Sequence, residues 1–75
     1  MMNTTVDAKG MLCPMPIIKL AAAIKTVPVG STVTVVATDM GFIPDIKAWC
    51  KGMKHEIVTL DETAGVITSE IRRTK

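Results

Sequence analysis

Tyrosine is absent from this 75-residue sequence, and Phe42 and Trp49 are its only aromatic residues. With a net charge of just +2, that scarcity argues against a nucleic-acid surface, which needs stacking rings and many cations aimed at phosphate. Cysteine is scarce too. Cys13 and Cys50 lie 37 positions apart, no C-x-x-C occurs, and His55 is the single histidine. These are too few ligands for a structural zinc site and no basis for a disulfide framework, so neither metal nor cofactor is expected. Long apolar runs are missing: Lys19 and Lys25 interrupt the longest ones, far short of a membrane span. The first residues, Met1-Met2-Asn3-Thr4-Thr5, are polar and uncharged, unlike a secretory leader. A cytoplasmic protein with reduced thiols and no membrane contact is the expectation. No repeat and no low-complexity tract appears, and the length suits one domain over 1–75 with a small core.

What the chain does have is Met11-Leu12-Cys13-Pro14-Met15-Pro16, followed by the strongest helical pattern it offers. Proline fixes φ near the helical value and lacks an N–H, so it suits a first helical turn. Cys13 precedes a proline and is pushed toward extended geometry, as an N-cap residue is. Met15 also precedes a proline, so the regular helix begins either beside Cys13 or at Pro16. In both cases the sulfur is expected beside free amides, with Met15, Ile17 and Ile18 as candidates. Such a place at a helix N-terminus lowers a thiol pKa, which predicts a reactive thiolate. The bland reading of Cys13, a small buried hydrophobe, fits poorly with a strand-to-helix junction at a surface edge.

The rest of the chain reads as alternating elements. Asn3 to Ala8 is a short strand ended by Lys9-Gly10. Ile17, Leu20, Ile24 and Val27 recur at helical spacing, leaving Lys19, Ala22 and Lys25 for solvent. Pro28-Val29-Gly30-Ser31 breaks that helix, and the β-branched run Thr32–Ala37 is a second strand. After a linker, Thr38 to Gly41, the positions Ile43, Ile46, Trp49, Cys50 and Met53 share one helical face, with Pro44 near its start and either Gly52 as C-cap or Met53 still on the last turn. Trp49 and Cys50 are expected in the core. His55 to Leu60 and Val66 to Arg72 alternate as two strands joined by the five-residue loop Asp61–Gly65.

The order is β-α-β-α-β-β. Each helix has a single apolar stripe, which predicts an α+β, two-layer sandwich with two helices packed on one face of a four-stranded mixed sheet. Loops after parallel strands gather at one edge, so Cys13 and Asp39 are expected as neighbours. Asp39 reads first as a residue that orders the loop before the second helix, and its charge would oppose the thiolate. His55, at a strand end, reads as solvated rather than as a base for Cys13. The lysines Lys19, Lys25, Lys47, Lys51 and Lys54 read as solvated helix faces.

Cys-Pro-Met-Pro, with Asp7-Ala8-Lys9-Gly10-Met11-Leu12 before it, resembles the Cys-Pro-x-Pro signature of the TusA/SirA-like sulfur-carrier family. The likeness continues through Val29-Gly30-Ser31, Asp39, Asp45-Ile46-Lys47-Ala48-Trp49-Cys50, His55-Glu56-Ile57-Val58 and Ile71-Arg72-Arg73. Met15 stands where some members carry Glu, and Lys47 where many carry Pro. The resemblance implies a persulfide carried on Cys13, supported by Pro14 and Pro16. It implies a sulfur-donor protein, a cysteine desulfurase or rhodanese-like enzyme, and a sulfur-acceptor protein in tRNA thiolation, molybdenum-cofactor synthesis or sulfur oxidation. Met11, Leu12, Met15 and Lys19 are the candidate docking surface, since apolar surface beside a nucleophile suits a partner. A monomer that binds no nucleic acid directly is expected. The competing reading is a non-catalytic RNA- or protein-binding module of similar shape. A thiol-redox protein would need a resolving cysteine, and core-bound Cys50 does not offer one.

Overall fold

A computed structural model describes the backbone of residues 3–75 and the side chains from Thr4 onward. Met1 and Met2, part of the stretch read as unlike a secretory leader, lie outside the described residues. The elements are β1 (Asn3–Ala8), α1 (Met15–Ile24), β2 (Thr32–Ala37), α2 (Phe42–Met53), β3 (Glu56–Thr63) and β4 (Val66–Arg72). The strands form one sheet in the order β1-β2-β4-β3. β1 runs parallel to β2, while β4 is antiparallel to both β2 and β3. This is the mixed four-stranded sheet with two helices that the element order implies.

Register places the apolar rows. Ala8, Ala37 and Ile67 lie side by side across three strands, as do Val6, Val35, Ser69 and Leu60. Against these rows α1 lays Leu20 and Ile24, and α2 lays Phe42, Ile46 and Cys50. Leu20, Phe42 and Ile46 are fully buried, each contributing about 1.5–3 kcal/mol of apolar transfer, which is what holds the helices on the sheet. The one polar group deep in the rows is satisfied, since Ser69 Oγ donates to the Thr59 carbonyl at 2.9 Å. Cys50 is buried, as the helical pattern predicts.

Three details differ from the sequence reading, and the end of α2, which it left open, is fixed. The core aromatic is Phe42, not Trp49, because α2 starts at Phe42 and the row Phe42, Ile46, Cys50 then faces the sheet. Trp49 is only partly buried, and Met53 is exposed. The α2 helix runs past Gly52 to Met53, and Lys54 is the cap, in left-handed geometry at φ 61 with its N–H bonded to the Cys50 carbonyl. The β3–β4 connection is a two-residue turn, Ala64-Gly65, with φ 51 and 82, instead of a five-residue loop. That sign of φ at both positions matches the twist of the flanking strands. Finally, β3 does not alternate strictly. The register shifts between Ile57 and Thr59, so Val58 is an extra residue, and Ile57 and Leu60 both turn inward.

Candidate functional site

Cys13 lies in the segment that carries the chain from β1 to α1. Gly10 takes φ 78 there, its N–H bonds to Thr38 Oγ1 at 2.9 Å, and the Met11 N–H returns to the Ala8 carbonyl. The loop after β1 is thereby tied to the loop after β2. The Cys13–Pro14 peptide is cis, Pro14 occupies the N-cap of α1, and Pro16 is buried in its first turn. Pro14 itself is exposed.

Asp39 completes the arrangement. Its Oδ2 accepts the Cys13 N–H at 2.9 Å and its Oδ1 accepts the Gly41 N–H at 3.2 Å. Cys13 and Asp39 are thus neighbours, as the parallel β1–β2 pair predicts. The two amides, Cys13 first, hold the Asp39 carboxyl below its usual pKa, so it is ionised at neutral pH. Gly41 fits against the pair as bare backbone. A Cβ there would lie 3.6 Å from both Asp39 oxygens and 3.8 Å from Cys13 Sγ. Asp45, in the first turn of α2, also acts on the sulfur. The sequence reading assigned neither Gly41 nor Asp45 to this site. The signal was the step from Asp39 to Gly41 at the mouth of a helix, two residues after a strand parallel to the one before Cys13.

The expected thiolate is overturned. Burial raises the Cys13 pKa first, followed by its hydrogen bond with Asp45, the charges of Asp39 and Asp45, and a hydrogen bond with Asp39, to about 11. The amides expected to favour the thiolate are engaged elsewhere. Met15 N–H bonds to the Leu12 carbonyl, and the Ile17 and Ile18 N–H groups both bond to the Pro14 carbonyl. The helix end therefore offers the sulfur little, and two carboxylates oppose its charge.

Around the thiol the surface is apolar. Leu12 is 75% exposed and Met15 45%, with Ile18 and Met40 half exposed or more. Met11, grouped with them from sequence, packs partly against the core instead, because its N–H turns back onto β1. Lys19 is exposed on α1, one helical turn beyond Met15. His55 is not brought to Cys13. Its ring lies against Trp49 with centroids 5.4 Å apart, and its Nδ1 accepts the Thr74 N–H. No group of three metal-ligating side chains occurs among the described residues, and no helix among them is long and apolar enough to cross a membrane.

Comparison with known proteins agrees with this geometry. The family described as Sulfurtransferase TusA matches residues 4–73. The sulfur carrier protein TusA of Pseudomonas fluorescens is 38% identical over 69 residues, covering 92% of this chain and 83% of that protein. YrkF of Bacillus subtilis is 35% identical over 75 residues, and the chain spans 40% of its length. Among solved structures, a SirA-like protein from Desulfitobacterium hafniense superposes with a TM-score of 0.81 at 28% identity, covering 99% of this chain and 100% of that one. A Cys-Pro-x-Pro turn between β1 and α1, on this sheet and with these relatives, makes the chain a member of the TusA family of sulfur carriers.

Proposed function

We propose that Cys13 is the atom that carries sulfur, as a persulfide taken from a donor protein and handed to an acceptor protein. The observation that carries this reading is a thiol beside the exposed apolar side chains of Leu12 and Met15, with its backbone clamped by Asp39. Such a site suits sulfur exchange between proteins better than a reaction on a small substrate.

The exchange balances without an oxidant: R–S–SH + Cys13–SH gives R–SH + Cys13–S–SH. Cys13 Sγ attacks the outer sulfur of the donor persulfide, the donor S–S bond breaks, and the donor thiolate takes up the proton that Cys13 gives away. Asp39 and Asp45 stand beside that proton. In the second step an acceptor nucleophile attacks the outer sulfur, and Cys13 leaves and is reprotonated.

A thiol pKa of about 11 suits holding more than attacking. A thiol of high pKa is a poor leaving group, so the loaded sulfur is not lost readily to stray thiols, while the scarce thiolate is intrinsically more nucleophilic. The donor is a cysteine desulfurase or rhodanese-like protein. The acceptor belongs to tRNA thiolation, molybdenum-cofactor synthesis or sulfur oxidation. The test is intact-mass measurement after incubation with a cysteine desulfurase and cysteine. A reducible gain of one sulfur atom, mapped to Cys13 and absent from Cys13→Ser, is expected. Equal labelling of both proteins, or none of either, refutes the assignment.

A further inference from the structure

Trp49 packs only partly against the core and takes no part in the site at Cys13. One of only two aromatic residues in the chain, it is partly exposed. It borders a cleft of about 270 Å³, where Ile24, Trp49 and Met53 supply apolar wall and Lys25, Arg73 and Lys75 supply charge. The cleft lies where α1 and α2 end, whereas Cys13 precedes the start of α1. A ten-residue helix is about 15 Å long, so the two places are well separated.

Cations near helix C-termini often do no more than offset the terminal carbonyls. Here those carbonyls have other partners. The Cys50 carbonyl accepts the His55 N–H at 3.0 Å, and the Ala23 carbonyl accepts the Thr26 N–H and Oγ1–H. Arg73 Nη1 donates to the Val27 carbonyl and its Nε to an oxygen of the Lys75 main-chain carboxylate, both at 2.7 Å. These two bonds set the guanidinium plane and leave Nη2 available. His55 also borders the cleft. Because its Nδ1 accepts the Thr74 N–H, the neutral ring carries its proton on Nε2 and is a donor. Burial and then the Arg73 charge lower its pKa, which keeps it in that neutral form. No aspartate or glutamate side chain lines the cleft, the one carboxylate there being the Lys75 main-chain group that Arg73 holds, and among the described residues the side-chain ion pair is Arg72 with Glu56, elsewhere on the sheet.

We infer that this cleft binds a small organic anion, with a flat apolar body against Ile24, Trp49 and Met53 and a carboxylate facing Lys25, Arg73 and Lys75. The volume is below the usual range of about 300–1,000 Å³ for ligand pockets, which fits one ring with a head group and excludes a nucleotide. The site is independent of sulfur carriage on Cys13.

Trp49 is the only tryptophan, so its emission reports the cleft directly. The whole protein is titrated with benzoate, neutral benzamide and cationic benzylammonium, three probes of one size and different charge. Benzoate is expected to shift the emission saturably in the millimolar range, about what a ligand of this size achieves. Benzamide and benzylammonium should bind at least about fivefold more weakly, on the scale of one well-placed charge. Lys25→Gln and Lys75→Gln, both at exposed positions, should each weaken benzoate about two- to fivefold. Cys13→Ser should bind benzoate as the wild type does. Equal affinity for benzoate and benzamide, benzoate affinity unchanged in both lysine variants, or no saturable shift would each overturn the proposal.

Discussion

At the scale of single residues, Cys13 shows how a local argument loses to its tertiary surroundings. Cys-Pro-x-Pro does announce a thiol at a strand-to-helix junction, and that much was legible. The nearness of Asp39 was legible too, from the parallel β1–β2 pair. What the chain order could not display was that Asp45 joins it, or that Pro14 takes up both early amides of α1. Asp45→Asn should therefore lower the Cys13 pKa from about 11, because it removes a hydrogen bond and a charge that both favour the thiol. The pH profile of Cys13 alkylation, followed by peptide mass, measures this. An unchanged midpoint would mean that burial and Asp39 raise the pKa without Asp45. Both thiols also enter the pH dependence of stability. Cys50, through burial, is raised like Cys13, from 9.0 to about 11. The folded protein keeps these protons where the unfolded chain loses them. The stabilising contribution is thus complete below pH 9 and disappears as pH rises to about 11. Urea unfolding across that window should show stability falling with pH, and less steeply in Cys50→Ala. That variant should itself cost on the order of 1 kcal/mol for the cavity it leaves and should still load sulfur.

At the scale of elements, the strands and helices were readable because their apolar periods are clear, and β1, β2 and β4 match their expected bounds. The ends were harder. Gly52 looked like a helix stop, yet the row Phe42, Ile46, Cys50 is anchored in the core, and the helix continues until Lys54 turns left-handed. Trp49 was misplaced for the same reason, since counting the face from Ile43 rotates it toward the sheet. Val58 could not be recognised as a bulge from its own residue type; only pairing with β4 reveals it. Lys54 carries a conformational cost that glycine would not. Lys54→Gly should raise stability by about 0.5–1 kcal/mol, the left-handed penalty less the extra entropy of the unfolded glycine. Chemical denaturation measures it. Destabilisation would mean that the lysine side chain contributes more than its backbone costs.

At the scale of the whole molecule, the elements divide the surface into an apolar edge beside Cys13, where sulfur exchange is proposed, and a far end that holds Trp49. Leu12 and Met15 are exposed on the apolar edge and lie outside the core cluster. Leu12→Ser and Met15→Ser should leave unfolding unchanged to within about 0.5 kcal/mol, as surface changes do. They should slow transfer from a loaded desulfurase while leaving loading by a small persulfide such as that of glutathione untouched. Equal slowing with both donors would place these side chains in the chemistry rather than in docking. Lys19→Glu, on the same helix, should slow encounter with an acidic partner without altering thiol reactivity.

The strand order has a consequence for how the chain is made. β4, the last of the six described elements in chain order, is the one that lies between β2 and β3. Until Val66–Arg72 has emerged, β3 has no neighbour and the β1–β2 pair has an open side. A two-stranded pair is marginal in water. Synthesis therefore delivers a nascent chain that cannot close its sheet step by step, and the fold is completed in one late event.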